Sequence, residues 1–345
     1  MNTTVLPVNP RYPQAKAIAA AARALQQGGL VAFPTETVYG LGANAMDADA
    51  IRRLYRAKER PASNPLIVHV ADLAQLEGLV VDAPESALTL AQRFWPGPLT
   101  LVLKRHPALP DLIAPQRDTV ALRLPAHTVA RALIRATGRP LVAPSANRFA
   151  RPSATRAAHV LADLEGRIDL LLDGGPTRIG LESTVLDLSR QAPVLLRPGA
   201  ITLEELRAQL PDLRSGGAML DLDDDDALPD SPGQHRRHYS PRAGLLLYEG
   251  EAEAVLAAMQ DAVRAHAAGG RRVGLLGALP GLAGCEQVSP GEGQEAAGRG
   301  LFAALRELDE RGVDVILARL EEPGGLGAAI NDRLRRAAEG RIIRV

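Results

Sequence analysis

Apolar positions recur every three or four residues in "PQAKAIAAAARALQQGG" (13–29), which predicts a helix opened near Pro13 and stopped by Gly28 and Gly29. The continuous apolar run "LVAFP" (30–34) then predicts a short buried strand. The helical period returns in "MDADAIRRLYRAKER" (46–60), with Asp47 placed to cap it and basic residues at its end. Strands are predicted at "PLIVHV" (65–70), "LTLVLK" (99–104), "TVALRLP" (119–125) and "PLVAPS" (140–145). Helices are predicted at "PESALTLAQRFW" (84–95), "HTVARALIRATG" (127–138) and "ATRAAHVLADLEG" (154–166), where Ser153 or Thr155 could serve as the cap. Three closely spaced strands follow, "DLLLDGG", "STVLDLS" and "PVLLRPG" (169–199). Such spacing predicts antiparallel pairs near residue 185 and a mixed, twisted sheet.

The pattern breaks at about residue 211. Gly, Asp and Pro dominate as far as Pro241, a stretch too polar to build a core. Regular alternation then resumes: strand "GLLLYEG", helix 251–270, strand "RRVGLLGAL", helix 292–312, strand "VDVILARL", helix 326–340 and a final strand "RIIRV". Strict alternation predicts a smaller Rossmann-like parallel α/β domain with helices on both faces. The expected divisions are 1–210, a linker over 211–243, and 244–345.

At 345 residues the chain is long enough for two cores. Lysine plus arginine equals aspartate plus glutamate, 40 each, which argues against a protein that coats nucleic acid. Cys285 is the only cysteine, so neither a disulfide framework nor a CxxC metal site is expected. The first residues lack the pattern of a signal peptide and no apolar run spans a bilayer, so a cytoplasmic protein is expected.

Polar residues collect just after strands, where α/β folds keep their ligands. Thr35, Glu36, Thr37 and Tyr39 follow "LVAFP", with Gly40 and Gly42 permitting close backbone approach; an ordinary turn is the plainer alternative. Lys58 and Arg60 end a helix, a favourable place for any cation, but Pro61 and Pro65 stiffen the segment and Asn64 adds an amide. Held cations of this kind suit a polyphosphate. His69 lies inside an apolar strand, where a histidine is usually a satisfied core residue. Arg123 also lies in an apolar strand and needs a partner, either a structural carboxylate or a ligand's. Ser145, Asn147, Ser153, Ser183, Thr184 and Arg197 lie at other strand ends. No Ser-His-Asp order, metal-ligand cluster or phosphate-binding glycine loop is present. The expected site binds anions and supplies no nucleophile. ATP plus a small carboxylate fits it, and so does an RNA backbone.

The motifs "FPTETVYGLGANA", "KERPASNPLIVHV", "WPGPLTLVL", "VALRLP", "PLVAPSAN", "DGG", "ESTVLDL" and "LRPG" occur in order over about residues 11–210. Together they closely resemble the YrdC-type domain of threonylcarbamoyl-adenylate synthases. The "HYSP" stretch and the second α/β domain resemble the two-domain form. The resemblance implies a YrdC-type twisted mixed sheet. It implies conversion of L-threonine, bicarbonate or CO2, and ATP with Mg2+ into threonylcarbamoyl-AMP and diphosphate. That product feeds threonylcarbamoyl modification of the adenosine beside the anticodon in tRNAs, carried out by a downstream transferase; direct tRNA binding is not implied. Thr35, His69, Arg123, Ala143 and Ser183 would hold threonine. Lys58, Asn64, Thr119, Ser145, Ser153, Arg197 and Tyr239 would hold ATP. Lys58 and Arg60 would act on the phosphates, and Mg2+ would ride on ATP rather than on protein ligands. Residues 231–243, with His235, Arg236, Arg237, His238 and Tyr239, would form a lid.

Two rivals remain. A carbamoyltransferase of hydrogenase maturation shares the domain type, but such chains are much longer and carry zinc-finger cysteines, against one cysteine here. An RNA-binding module using a basic cleft is disfavoured by zero net charge and 3% aromatic residues.

Overall fold

The structure is a computed structural model that describes residues 2–216, 238–280 and 282–345. Among these, 2–149 and 153–216 form one compact unit, and 150–152 with 238–345 form a second. Of the proposed lid over 231–243, residues 231–237 lie outside the described residues.

The strands of the first unit are β1 (Thr4–Pro7), β2 (Val31–Pro34), β3 (Tyr39–Asn44), β4 (Ile67–His69), β5 (Leu99–Lys104), β6 (Thr119–Arg123), β7 (Leu141–Val142), β8 (Leu170–Asp173), β9 (Thr184–Asp187), β10 (Val194–Arg197) and β11 (Arg214–Ser215). They line up as β1-β8-β2-β3-β7-β4-β6-β5-β9-β10-β11. Pairing is mixed: β4 runs parallel to β6, and β9 antiparallel to β10 as expected.

Side chains alternate across the strands, so each strand feeds two cores. Val31 and Phe33 join α1 (Ala15–Gln26) and α4 (Thr128–Thr137) on one face. Ala32 joins α2 (Ala48–Lys58), α3 (Glu85–Phe94) and α5 (Ala157–Leu164) on the other. Asp47 caps α2 as expected, accepting from the backbone N–H groups of Asp49 and Ala50. The short α6 (Leu203–Arg207) opens with a capping box between Thr202 and Glu205.

Two local expectations need correcting. "YGLGAN" is strand β3, not loop, so the turn after β2 is only Thr35–Val38. Gly42 makes room for the Phe33 ring, which a Cβ would meet at 2.8 Å, so its smallness serves sheet packing. The cap position of α5 is Arg156, and neither Ser153 nor Thr155 caps it. Both hydroxyls have other partners, Glu182 and the His159 ring.

The second unit holds β12 (Gly244–Glu249), α7 (Ala252–Ala268), β13 (Val273–Leu276), β14 (Glu286–Val288), α8 (Gly293–Glu310), β15 (Val315–Arg319), α9 (Gly327–Ala337) and β16 (Ile342–Arg344). Its sheet is wholly parallel in the order β14-β13-β15-β12-β16. Val273, Leu275, Val315 and Leu317 pack on α7, while α8 and α9 contact each other and the sheet. Strand β14 is three residues long, too short and polar for the sequence pattern to reveal. Among the described residues no helix is long and apolar enough to cross a membrane.

Candidate active site

Lys58 is the last residue of α2 and is buried. Its Nζ donates to the carbonyl oxygens of Ser145 and Asn147, both at 2.5 Å, and it makes no ion pair among the described residues. Burial first, and the neighbouring Arg60 charge second, hold the Lys58 ammonium well below the usual lysine range. Glu59 takes the left-handed conformation that ends the helix, and the turn brings Arg60 N–H back to Tyr55 O at 3.0 Å. The Arg60 guanidinium then donates to Asn64 Oδ1 at 2.6 Å and to Pro65 O at 2.8 Å. The Tyr55 hydroxyl ties the same loop to Leu112 O at 2.9 Å. Both cations are therefore held, as the flanking prolines led us to expect. Asn64 Nδ2 is buried with no hydrogen-bond partner among the described residues. An orphaned buried donor costs free energy that an incoming acceptor would return.

A second group forms around Arg123 at the end of β6. Its partner is Glu36, from the turn after β2, at 2.7 Å, with both side chains about 5% exposed or less. Burial pushes the Glu36 carboxyl up, but the charge and hydrogen bond of Arg123 together outweigh it and hold the carboxyl below its usual range. Glu36 Oε2 is buried and unpartnered among the described residues. The register of β4 on β6 sets His69 beside Arg123. The His69 Nδ1 lies 3.2 Å from Ile67 O, and burial first, then Arg123, lowers its pKa to about 3. The ring is neutral at physiological pH. Thr35 Oγ1 donates to Val38 O at 2.6 Å, closing the β2–β3 turn that carries Glu36.

Arg123 Nε donates to Gly97 O at 3.3 Å, linking this group to the start of β5. Leu99 pairs with Thr184 there, so Ser183 lies alongside. Ser183 Oγ is 2.7 Å from Thr100 Oγ1, and Arg197 reaches Ser183 through both Nε, to its carbonyl, and Nη2, to its hydroxyl. Ser153 donates to Glu182, the residue before Ser183. Ala143 N–H donates to Ile67 O at 3.0 Å, so this backbone group already has an acceptor.

The structure thus brings Lys58, Arg60, Asn64 and Ser145 together, and separately Thr35, His69, Arg123, Ser183, Arg197 and Ser153. Thr119 begins β6, four residues before Arg123, so it stands at the far end of that strand. Tyr239 is described with the second unit, where it takes φ 62° and its ring packs on Phe302 and beneath Arg333. His235, Arg236 and Arg237 lie outside the described residues. Sequence reasoning missed the pairing of Glu36 with Arg123 and of Glu182 with Ser153. The available signal was a carboxylate set against a strand with otherwise apolar neighbours.

Comparison with known families places the chain. Residues 23–199 match the Sua5/YciO/YrdC family model, described as "Telomere recombination". Residues 201–339 match the model described as "Threonylcarbamoyl-AMP synthase, C-terminal domain". The chain belongs to the threonylcarbamoyl-AMP synthase family. A threonylcarbamoyl-AMP synthase of Pyrococcus abyssi is 46% identical over 99% of this chain and 100% of its own length. One of Bacillus subtilis is 48% identical over 95% and 94%. The crystal structure of P. abyssi Sua5 complexed with L-threonine superposes with a TM-score of 0.94 over 99% of this chain. The family resemblance and the α/β fold expected from the motifs both hold, and membership of the threonylcarbamoyl-AMP synthase family makes the chain an enzyme of the adenylyl-transferring class. The RNA-binding module and the hydrogenase-maturation carbamoyltransferase give way to it.

Proposed function

We propose that the first unit joins L-threonine, bicarbonate or CO2, and ATP into threonylcarbamoyl-AMP and pyrophosphate for threonylcarbamoyl modification of tRNA. The observation that carries this is the buried Lys58 beside Arg60 and the orphaned Asn64 donor. Such a set is costly without an anion and well matched to phosphates.

Arg123 takes the threonine carboxylate, which exchanges for Glu36 as its partner. Ser183, Thr35 and neutral His69 surround the substrate. The neutral threonine amine attacks CO2; the N–C bond forms as one C=O π pair moves to oxygen, and the proton lost from nitrogen passes to bicarbonate in solution. A carbamate oxygen then attacks the α-phosphorus of ATP. A new O–P bond forms as the bond to the β-phosphate breaks, and pyrophosphate leaves with the electron pair. Both reactants are anions, so the chain's task is alignment and charge neutralisation by Lys58, Arg60 and Arg197. No side chain becomes covalently attached. Mg2+ carried on the nucleotide would supply further neutralisation of the phosphates; among the described residues no group of three His, Cys, Asp or Glu could hold a metal.

The test is pyrophosphate release from ATP with threonine and bicarbonate present or withheld in turn. We expect release only with both. Release indifferent to threonine would overturn the assignment.

A further inference from the structure

The second unit contains a cavity that the proposed chemistry leaves unused. Its volume is about 310 Å³, at the lower end of the range for small-molecule sites. It lies at the carboxyl ends of parallel strands, where β13 ends at Leu276, β14 leads through Ser289 and Pro290 into α8, and β15 ends at Arg319. After β13 the chain turns to β14 at one edge of the sheet. After β15, α9 carries it to β16 at the other edge. Connections that leave adjacent strands in opposite directions open a crevice between them, the usual ligand position in parallel α/β sheets.

The lining divides in two. Leu276, Ala297, Leu301, Ile330 and Leu334 give an apolar wall. Around them stand three charged side chains, Arg319, Glu292 and Glu321. Arg319 and Glu292 are exposed at its rim and Glu321 is half-buried; none of the three has an ion-pair or side-chain hydrogen-bond partner among the described residues. The Glu321 backbone is fixed at both ends by Asn331, which accepts from its N–H and donates to its carbonyl, both at 2.8 Å. The first turn of α8 has no side-chain cap. Glu292 holds the cap position of α8, so the N–H groups of the first turn lie beside its carboxylate.

We propose that this crevice binds a free α-amino acid with an apolar side chain. Its carboxylate meets Arg319, its ammonium meets Glu321 and the Glu292 carboxylate at the start of α8, and its side chain lies on the leucine wall. A simple anion is disfavoured by the two glutamates, and a simple cation by Arg319. A zwitterion satisfies both. This rests on the second unit alone and stands whether or not the proposed catalytic assignment does.

The test is methyl NMR on the full chain labelled at Leu and Ile, titrated with L-leucine and with L-phenylalanine. The comparison probes are 4-methylpentanoate, which lacks the ammonium, and 3-methylbutylamine, which lacks the carboxylate. We expect saturable shifts at Leu276, Leu301 and Ile330 with at least one amino acid, and roughly tenfold weaker binding of the one-charge probes. Arg319→Ala and Glu321→Gln should each weaken binding about tenfold and leave threonine-dependent pyrophosphate release unchanged. Methyls unmoved at tens of millimolar amino acid would overturn the proposal. So would one-charge probes that bind as well, or variants that bind as tightly as the parent chain.

Discussion

Removing the Arg123 guanidinium strands the buried Glu36 carboxylate, because the two lie 2.7 Å apart with almost no solvent access. Breaking a buried pair on one side costs about 3–5 kcal/mol. We therefore expect Arg123→Ala to lower Tm sharply and to raise the KM for threonine by roughly a hundredfold. The double variant Arg123→Ala/Glu36→Ala should recover much of the Tm and none of the threonine affinity. Thermal melts and threonine titrations on both variants separate the structural role from the substrate role. Lys58 makes a different forecast. Its ammonium is destabilised by burial and by Arg60, and a phosphate arriving beside it reverses that. ATP affinity should therefore weaken as pH rises through the range in which Lys58 loses its proton. ATP titrations against pH read that dependence, which Lys58→Met should remove. Buried His69 titrates at about 3 when folded and near 6.5 when unfolded. The unfolded chain binds the proton first, so stability falls as pH drops from about 6.5 toward 3. His69→Gln should lose less stability than the parent chain across that window, as followed by Tm against pH.

Helix α2 carries Lys58 at one end and depends on Asp47 at the other, where one carboxylate satisfies two backbone N–H groups. Asp47→Ala should cost about 1 kcal/mol of stability. The KM for ATP should stay within about twofold, because Lys58 is fixed by the Ser145 and Asn147 carbonyls rather than by the helix start. Denaturant melts and ATP titrations check the two parts. This helix was fully legible in the sequence, since cap, period and basic end all agreed. Strand β3 was not. "YGLGAN" carries two glycines that read locally as turn; sheet pairing explains them, with the Phe33 ring against Gly42 and the Ala143 Cβ against Gly40. Arg123 could be recognised as a residue in need of a partner. That the partner is Glu36, 87 residues away in the chain, is a tertiary fact that no local pattern contains.

At the scale of the molecule, the parallel sheet of the second unit followed directly from alternating strand and helix patterns, and the mixed sheet of the first from its crowded strands. The order of strands in that mixed sheet could not be read, because it depends on contacts across the whole chain. The gathering of cations and hydroxyls at strand ends of the first unit was visible in its residue types. The division into a Lys58–Arg60 group and an Arg123–Arg197 group emerged only with the fold. Bringing two anions together without a covalent protein intermediate is the claim on which the account depends. Its most direct measurement supplies carbon-labelled bicarbonate to the full chain with ATP and threonine, and follows label in the nucleotide fraction alongside pyrophosphate and the intact protein mass. We predict one label retained per pyrophosphate released and no adenylylated protein. A nucleotide adduct on the chain, or pyrophosphate without retained label, would contradict it.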